Sequence, residues 1–310
     1  MDHACIYEEP YYSKCLVELN KRNIDLYNFI AVTKERKKEL LRNLIAQRNI
    51  QQAVRQLKLK LHRSEYINVS GNRTFASKII ENLRTIEQEA KIAAYTCIVG
   101  ACDTIKEPMF FNPQIDYFVF TDQDLPLNSR LKKIDITKFE EYSKYSPVTM
   151  NRRIKILSHE YLKDYDYTLY LDSTVRIIGD IYPIICNIGN AYIGVHSHAS
   201  RDCAYMEAEA VNYLKKSDPK QVEIQMRRYK EEGFPKHYGL FQNSIVIRNQ
   251  KIPEVRTLMQ AWWNEYEKDE TRDQFSLPYV LWKKQIPKDK IKIIGTDAGQ
   301  NPRFTITIRK

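Results

Sequence analysis

The period of the apolar positions changes near residue 91. Before it, Ile50, Val54, Leu57 and Leu61 step by four, three and four, and Leu40, Leu41, Leu44 and Ile45 form similar pairs, so the apolar side of each stretch fits one helix face. The turn cluster NVSGN at 68–72 separates this stretch from a second predicted helix at 77–90. Residues 1–90 therefore read as an α-helical extension, a hairpin packed on the main domain or on a second subunit. From residue 91 onward, short aliphatic and aromatic runs alternate with helical patterns. Strands are expected at 92–99, 117–121, 131–136, 167–171, 191–196, 241–248 and 291–294, and helices at 151–162, 203–214, 253–266 and 272–282. Strands alternating with helices at this spacing predict an α/β domain over 91–310, with a mixed, mostly parallel sheet flanked by helices.

The stretch 151–177, NRRIKILSHEYLKDYDYTLYLDSTVRI, organises this domain. Ile154, Leu157, Tyr161 and Leu162 fall on one helical face, and Arg152, Arg153 and Lys155 crowd the first turn. KDYD breaks the helix, a strand follows, and Asp172 stands where that strand gives way to loop. Ligands of open α/β sheets bind beyond the carboxyl ends of the strands, so a carboxylate here, beside a cationic helix, suits a metal ion and phosphates. The alternative is that Asp172 only caps a turn. Other strands also end on small or acidic residues, at Gly100 and Asp103 and at Asp122 and Asp124.

Composition narrows the picture. With 43% hydrophobic residues, 21 Tyr and only nine Gly among 310 residues, the chain can bury a sizeable core. The six cysteines form no CxxC pair, so reduced thiols are expected rather than disulfides or a zinc site. The net charge of +10 is concentrated in 33–63, where ten Lys or Arg face two Glu. Such a basic amphipathic segment suits peripheral contact with anionic membrane or an acidic partner; no nucleic-acid motif accompanies it. Neither a long apolar run nor a basic, apolar leader pattern opens the chain, and a cytoplasmic location, peripheral at the inner face of the membrane, is expected. The glycine pattern is neither GxGxxG nor a P-loop, and GxSxG and HExxH are missing.

The segments YTCIVGACDTIKEP, DYFVFTD, RRIKILSH, YLDSTVRI, HSHASRDCAYMEAE, QMRRYKEEGFP, GLFQNSIVIR, AWWNEY and RDQFSLPYVLW occur in that order. Together they resemble the glycosyltransferase-like domain of plant mucilage-related hexosyltransferases and its bacterial counterparts in surface-polysaccharide clusters, over residues 95–282. More distantly, YLDxxxxI, the Asn-Ser strand and the Asp-Gln helix start resemble the glycogenin type of transferase. The resemblance implies a GT-A-like, Rossmann-like fold, a nucleotide-sugar donor (usually a UDP-sugar), a glycan or lipid-linked acceptor, and often Mn²⁺ or Mg²⁺. The family pattern holds the metal through DxD. Here the sequence has Asp172-Ser173-Thr174, so Asp172 is the one expected metal ligand and the second carboxylate is missing. Either Asp172 suffices, or Arg152, Arg153, Lys155 and Arg176 neutralise the diphosphate without metal.

Under the resemblance, Gly100, Ala101, Asp103, Asp122, Arg153, Lys155, Asp172 and Thr174 form the expected nucleotide and cofactor site. His196, His198, Arg201, Asp202 and Glu207, the densest polar cluster of the chain, are expected on the donor sugar or acceptor, with Asn243 and Gln274 beside them. Asp273 is expected as catalytic base or acceptor-orienting carboxylate, joined by Gln242 and Asp172. Trp262 and Trp263 read as core or as a sugar platform. A homodimer through the helical extension fits the pattern. Two other readings stay open: a hydrolase of a lipid amide using His196, His198 and Asp202, and a non-catalytic pseudo-glycosyltransferase scaffold.

Overall fold

The computed structural model describes residues 90–307. The helical extension 1–90, its basic segment and the dimer element built on it lie outside the described residues, apart from Ala90.

A seven-stranded sheet carries the domain. In chain order its strands are β1 (Ile92–Ile98), β2 (Ile115–Thr121), β3 (Lys132–Asp135), β4 (Tyr167–Leu171), β6 (Ile193–Ser197), β7 (Phe241–Asn249) and β8 (Ile291–Ile293). Their spatial order is β3-β2-β1-β4-β7-β6-β8. All neighbours pair in parallel except β7, which is antiparallel to both β4 and β6. This is the mixed, mostly parallel, Rossmann-like α/β sheet that the alternation predicts. A second, two-stranded sheet joins β5 (Val175–Ile177) to β9 (Phe304–Ile306). Those strands of three residues, Val175 pairing with Ile306 and Ile177 with Phe304 far along the chain, leave no periodic signal.

The helices are α1 (Pro147–Ile156), α2 (Ser158–Tyr161), α3 (Tyr182–Cys186), α4 (Ala204–Tyr213), α5 (Pro219–Glu231), α6 (Pro253–Asp269) and α7 (Asp273–Lys283). Where the pattern predicts one helix at 151–162, the chain makes two. Ser146 caps the first, accepting a hydrogen bond from the Thr149 N–H at 3.1 Å, Pro147 opens it, and Leu157 at ψ 42° ends it. The charged α5 carries too few apolar positions to be read from the periodicity. Only Val222, Gln225 and Tyr229 of its residues are buried, and its Tyr229 ring stacks on Tyr279 of α7 at 3.8 Å.

Strand β1 is apolar and buried on both faces, as a central parallel strand must be when helices or loops cover each side. One core lies on the side of α1, α4, α5, α6 and α7, with Tyr95, Tyr170, Val246 and Trp262 at its centre. The other lies under β5, β9 and α3, with Leu169, Ile245, Ile247 and Phe304. Trp262 and Trp263 are 0% and 2% exposed, so they belong to the core and offer no face to a sugar. Among the described residues Cys97, Cys186 and Cys203 are buried thiols in no disulfide, as expected. No helix among them is long and apolar enough to cross a membrane.

Candidate active site

The strand order reverses at β1: β2 and β3 lie to one side and β4 to the other, which makes the carboxyl ends of β1 and β4 the switch point where such sheets bind ligands. Because β7 runs the other way, its first residues arrive at the same edge. Asp172 follows β4 directly and donates its N–H to the Ser244 carbonyl of β7 at 2.8 Å.

Four ionic side chains converge on this point. Lys155 of α1 places Nζ 2.8 Å from Asp273 Oδ2 and 3.4 Å from Asp172 Oδ1. Arg152, one turn earlier, places Nε 3.0 Å from Asp273 Oδ1. The Tyr170 hydroxyl donates to Asp172 Oδ1 at 2.9 Å. Asn151 donates to the Cys97 carbonyl of β1 at 2.7 Å and accepts from Arg152 at 2.6 Å, tying the middle of α1 to the sheet edge. Asp273 opens α7 and is 4% exposed. Burial by itself would raise its carboxyl, but Lys155 and then Arg152 outweigh that and hold it well below the usual carboxylate range. Burial would lower Arg152, and Asp273 and Asp172 drive it above its ordinary value instead. A carboxylate so strongly ionised is a poor proton acceptor.

The backbone of Lys155 is pinned from below. Its carbonyl accepts from the Tyr95 hydroxyl at 2.9 Å and from the guanidinium of Arg248, which also donates to Tyr95 Oη at 3.3 Å. Arg248 is 0% exposed and has no carboxylate partner among the described residues. Its charge instead caps the carbonyl end of α1, as a cation favours a helix C-terminus.

The loop after β1 is shaped by Asp122, which follows β2. Both its oxygens accept the Gly100 N–H, at 3.0 and 2.9 Å, and the Tyr142 hydroxyl donates to it at 2.8 Å. Gly100 sits at φ +65°, a conformation that costs glycine little. Gln123 bridges the carbonyls of Gly100 and Asp103 at 2.6 and 3.0 Å, and Ala101 between them is exposed. Asp103 bonds Lys106 at 3.3 Å, and Lys106 also donates to the Ser173 carbonyl at 3.2 Å, joining this loop to the Asp172-Ser173-Thr174 turn. Burial would raise Asp103, but hydrogen bonds from Ser173 and the Thr104 N–H bring it below its ordinary value. The Thr174 carbonyl accepts the Thr307 N–H at 2.8 Å.

The other expected residues divide between two faces. Asn243 and Gln274 join the Asp273 side: Asn243 donates to the Asp273 carbonyl at 3.0 Å, and Gln274 to that of Phe241 at 3.0 Å. Gln242 turns to the opposite face and accepts the Ala298 N–H at 2.7 Å. His196 is 0% exposed there, 3.1 Å from Asn301, and burial lowers it to about 4. His198 accepts the Arg201 N–H at 3.1 Å, and Arg201 is ion-paired with the buried Glu207. Asp202 pairs with His237 at 2.8 Å, both about half exposed. No hydrogen bond joins His196, His198 and Asp202 to one another among the described residues, so the triad needed for water activation is not assembled.

Arg153, expected on the cofactor, is held by Glu141 at 3.0 Å and Glu160 at 2.8 Å, with its guanidinium 5.4 Å from the centre of the Trp263 ring. Arg152 takes the position beside Lys155. The three-residue spacing puts 152 and 155 on one helix face, but only the fold shows that this face meets the sheet. Tyr170, Asn151, Tyr95 and Arg248 carried no recognisable signal, nor did Asn301.

A divalent ion at Asp172 would need several hard oxygen ligands. Asp172 Oδ1 is already engaged by Tyr170 and Lys155, Thr174 replaces the second carboxylate, and both Asp273 oxygens face cations. Among the described residues no group of three or more His, Cys, Asp or Glu is arranged to hold a metal ion. The donor set does not fit Mn²⁺ or Mg²⁺.

The relative named "Probable hexosyltransferase MUCI70" of Arabidopsis thaliana is 24% identical over 224 residues, which covers 64% of this chain and 38% of the relative. The chain thus spans well under half the length of that curated relative. The family profile described as TOD1/MUCI70, glycosyltransferase-like domain, matches residues 47–297, reaching further at both ends than 95–282. That match takes in most of the chain and every residue of the Asp172 cluster, and this chain belongs to the TOD1/MUCI70 glycosyltransferase-like domain family.

Proposed function

We propose that this chain is a glycosyltransferase that moves a hexosyl group from a nucleotide-diphosphate sugar, a UDP-sugar, to a hydroxyl of a glycan or lipid-linked acceptor in surface-polysaccharide synthesis. The observation that carries the reading is the meeting of Asp172, Asp273, Arg152 and Lys155 at the switch point of the sheet. Family membership and the hexosyltransferase name of the plant relative support the reaction class.

In the reaction the bond from the anomeric carbon to the diphosphate oxygen breaks, and its electron pair leaves with the nucleoside diphosphate. The acceptor oxygen bonds that carbon and gives up its proton. The chain must above all stabilise the charge growing on the leaving group, and fixed cations in a site that excludes water do so strongly. Arg152 and Lys155 take that part. Asp273 holds both in place and so acts as a positioning residue. Asp172 accepts hydroxyls of the donor through the oxygen that Tyr170 and Lys155 leave open. Gly100, Ala101, Asp103 and Asp122 shape the nucleoside side, and Asn243, Gln274, His198, Arg201 and Glu207 contact sugar hydroxyls. The basic segment 33–63 places the enzyme against anionic membrane, where lipid-linked acceptors lie.

The test is turnover of a panel of nucleotide-sugars, read as nucleoside diphosphate released, with Asp172→Ala as the control. A UDP-sugar turned over by the wild type and not by the folded variant is the expected result. Wild-type turnover in Asp172→Ala would remove that residue from the site. Unchanged vesicle flotation after deletion of residues 1–90 would remove the membrane contact.

A further inference from the structure

We infer that this chain binds the donor diphosphate without a divalent cation, with Lys155 between two carboxylates where such an ion would stand and Arg272 adding the net charge that lets Arg152 and Lys155 meet the phosphates. The inference rests on the transferase reading above and adds to it the source of the positive charge.

Two features carry it. First, the Lys155 ammonium is 1% exposed and lies 2.8 Å from one carboxylate and 3.4 Å from the other. A metal ion that used Asp172 and Asp273 together would have to displace a buried ammonium and break the Arg152 pair at 3.0 Å as well. Second, the charges already balance before Arg272 is counted: Asp172 and Asp273 face Arg152 and Lys155. Arg272 immediately precedes α7, and its positive charge helps hold the Asp273 carboxyl down. Among the described residues it has no carboxylate partner, and its Nε is buried without a hydrogen bond. It therefore stands as the uncompensated cation of the cluster.

The backbone around it adds to the effect. Helix α7 has 11 residues, and no side chain caps its first N–H groups. Uncapped amides and the positive end of the helix dipole favour an anion at that end. A half-buried guanidinium whose Nε donor is unused, set at an uncapped helix start, is suited to a phosphate oxygen in a way that a point charge is not. The chemistry selected is a nucleoside-linked diphosphate, as in the donor and in the nucleoside diphosphate that leaves it, held by protein cations alone.

The experiment is calorimetric titration of UDP into the full chain, in EDTA and in Mn²⁺, for the wild type, Arg272→Gln and Arg272→Lys. The expected result is a wild-type affinity that agrees within about twofold between the two conditions. Arg272→Gln weakens it about tenfold or more in both, as the loss of one charge-assisted hydrogen bond does, and Arg272→Lys recovers part of it. A merely structural Arg272 would lower the melting temperature of both variants and leave the UDP affinity of the folded fraction unchanged, which would overturn its assignment. Binding that disappears in EDTA and returns with Mn²⁺ would overturn the inference and leave the transferase reading standing. No UDP binding in either condition would overturn both.

Discussion

Replacing Asp273 by Asn keeps the volume of the side chain and removes the charge on which Arg152 and Lys155 close. Contacts at 3.0 and 2.8 Å are each worth roughly 6 kcal/mol in gross Coulomb energy at an effective dielectric constant of about 20. Desolvation offsets most of this in the intact cluster, but the variant leaves the buried Lys155 and the half-buried Arg152 with Asp172 alone to answer them. Breaking a buried pair from one side costs about 3–5 kcal/mol. For a domain of this size that corresponds to a loss of about 10 °C in melting temperature. The pH dependence supplies a second signature. The Asp273 carboxyl is lower in the folded chain than in the unfolded one, so its contribution is complete above the ordinary value of about 3.9 and is lost as pH falls below that toward the folded value. Urea denaturation of wild type and Asp273→Asn, at neutral pH and at several acidic values, measures both effects. The wild type should lose stability more steeply in acid than the variant. A cost under about 1 kcal/mol at neutral pH, or equal acid slopes, would refute the ion-paired account of Asp273.

His196 and His159 are both kept neutral by burial, each lowered to about 4. As pH falls from about 6.5 toward that value the unfolded chain takes up these protons first, so stability declines across the window; His196→Gln should flatten part of the decline in urea midpoints, and an unchanged slope would contradict it. Gly295 lies at φ +157°, and a Cβ there would come within 2.9 Å of His196 Cδ2. Gly295→Ala should therefore cost about 1–3 kcal/mol in chemical denaturation, and an unshifted midpoint would contradict the packing of that loop on His196.

What the sequence disclosed follows from which features are local. Asp172 could be found because a buried run of one strand ends on it, and Asp273 because Arg-Asp-Gln opens a helix. The sheet was legible because each of its longer strands carries its own burial pattern. The choice between Arg152 and Arg153 was not. Adjacent helical residues point about 100° apart, and the face that meets the sheet depends on contacts far along the chain. Arg248 reads as the polar end of a strand, and only the fold brings it beneath the carbonyl of Lys155, 93 residues away. The histidines of His-Ser-His look like a pair in sequence. A register shift between Val195 and His196, together with the 295–301 loop, directs one ring toward Asn301 and the other toward Arg201 and Glu207.

The central claim is that the donor diphosphate meets the Arg152 and Lys155 face of α1. Titration of UDP into Arg152→Ala, Lys155→Ala and Arg153→Ala, with folding checked by circular dichroism, tests it most directly. The account predicts affinities about tenfold or more weaker for the first two and nearly unchanged for the third, whose guanidinium is committed to Glu141 and Glu160. A loss in Arg153→Ala that matches the other two, or wild-type affinity in Arg152→Ala and Lys155→Ala, would contradict it.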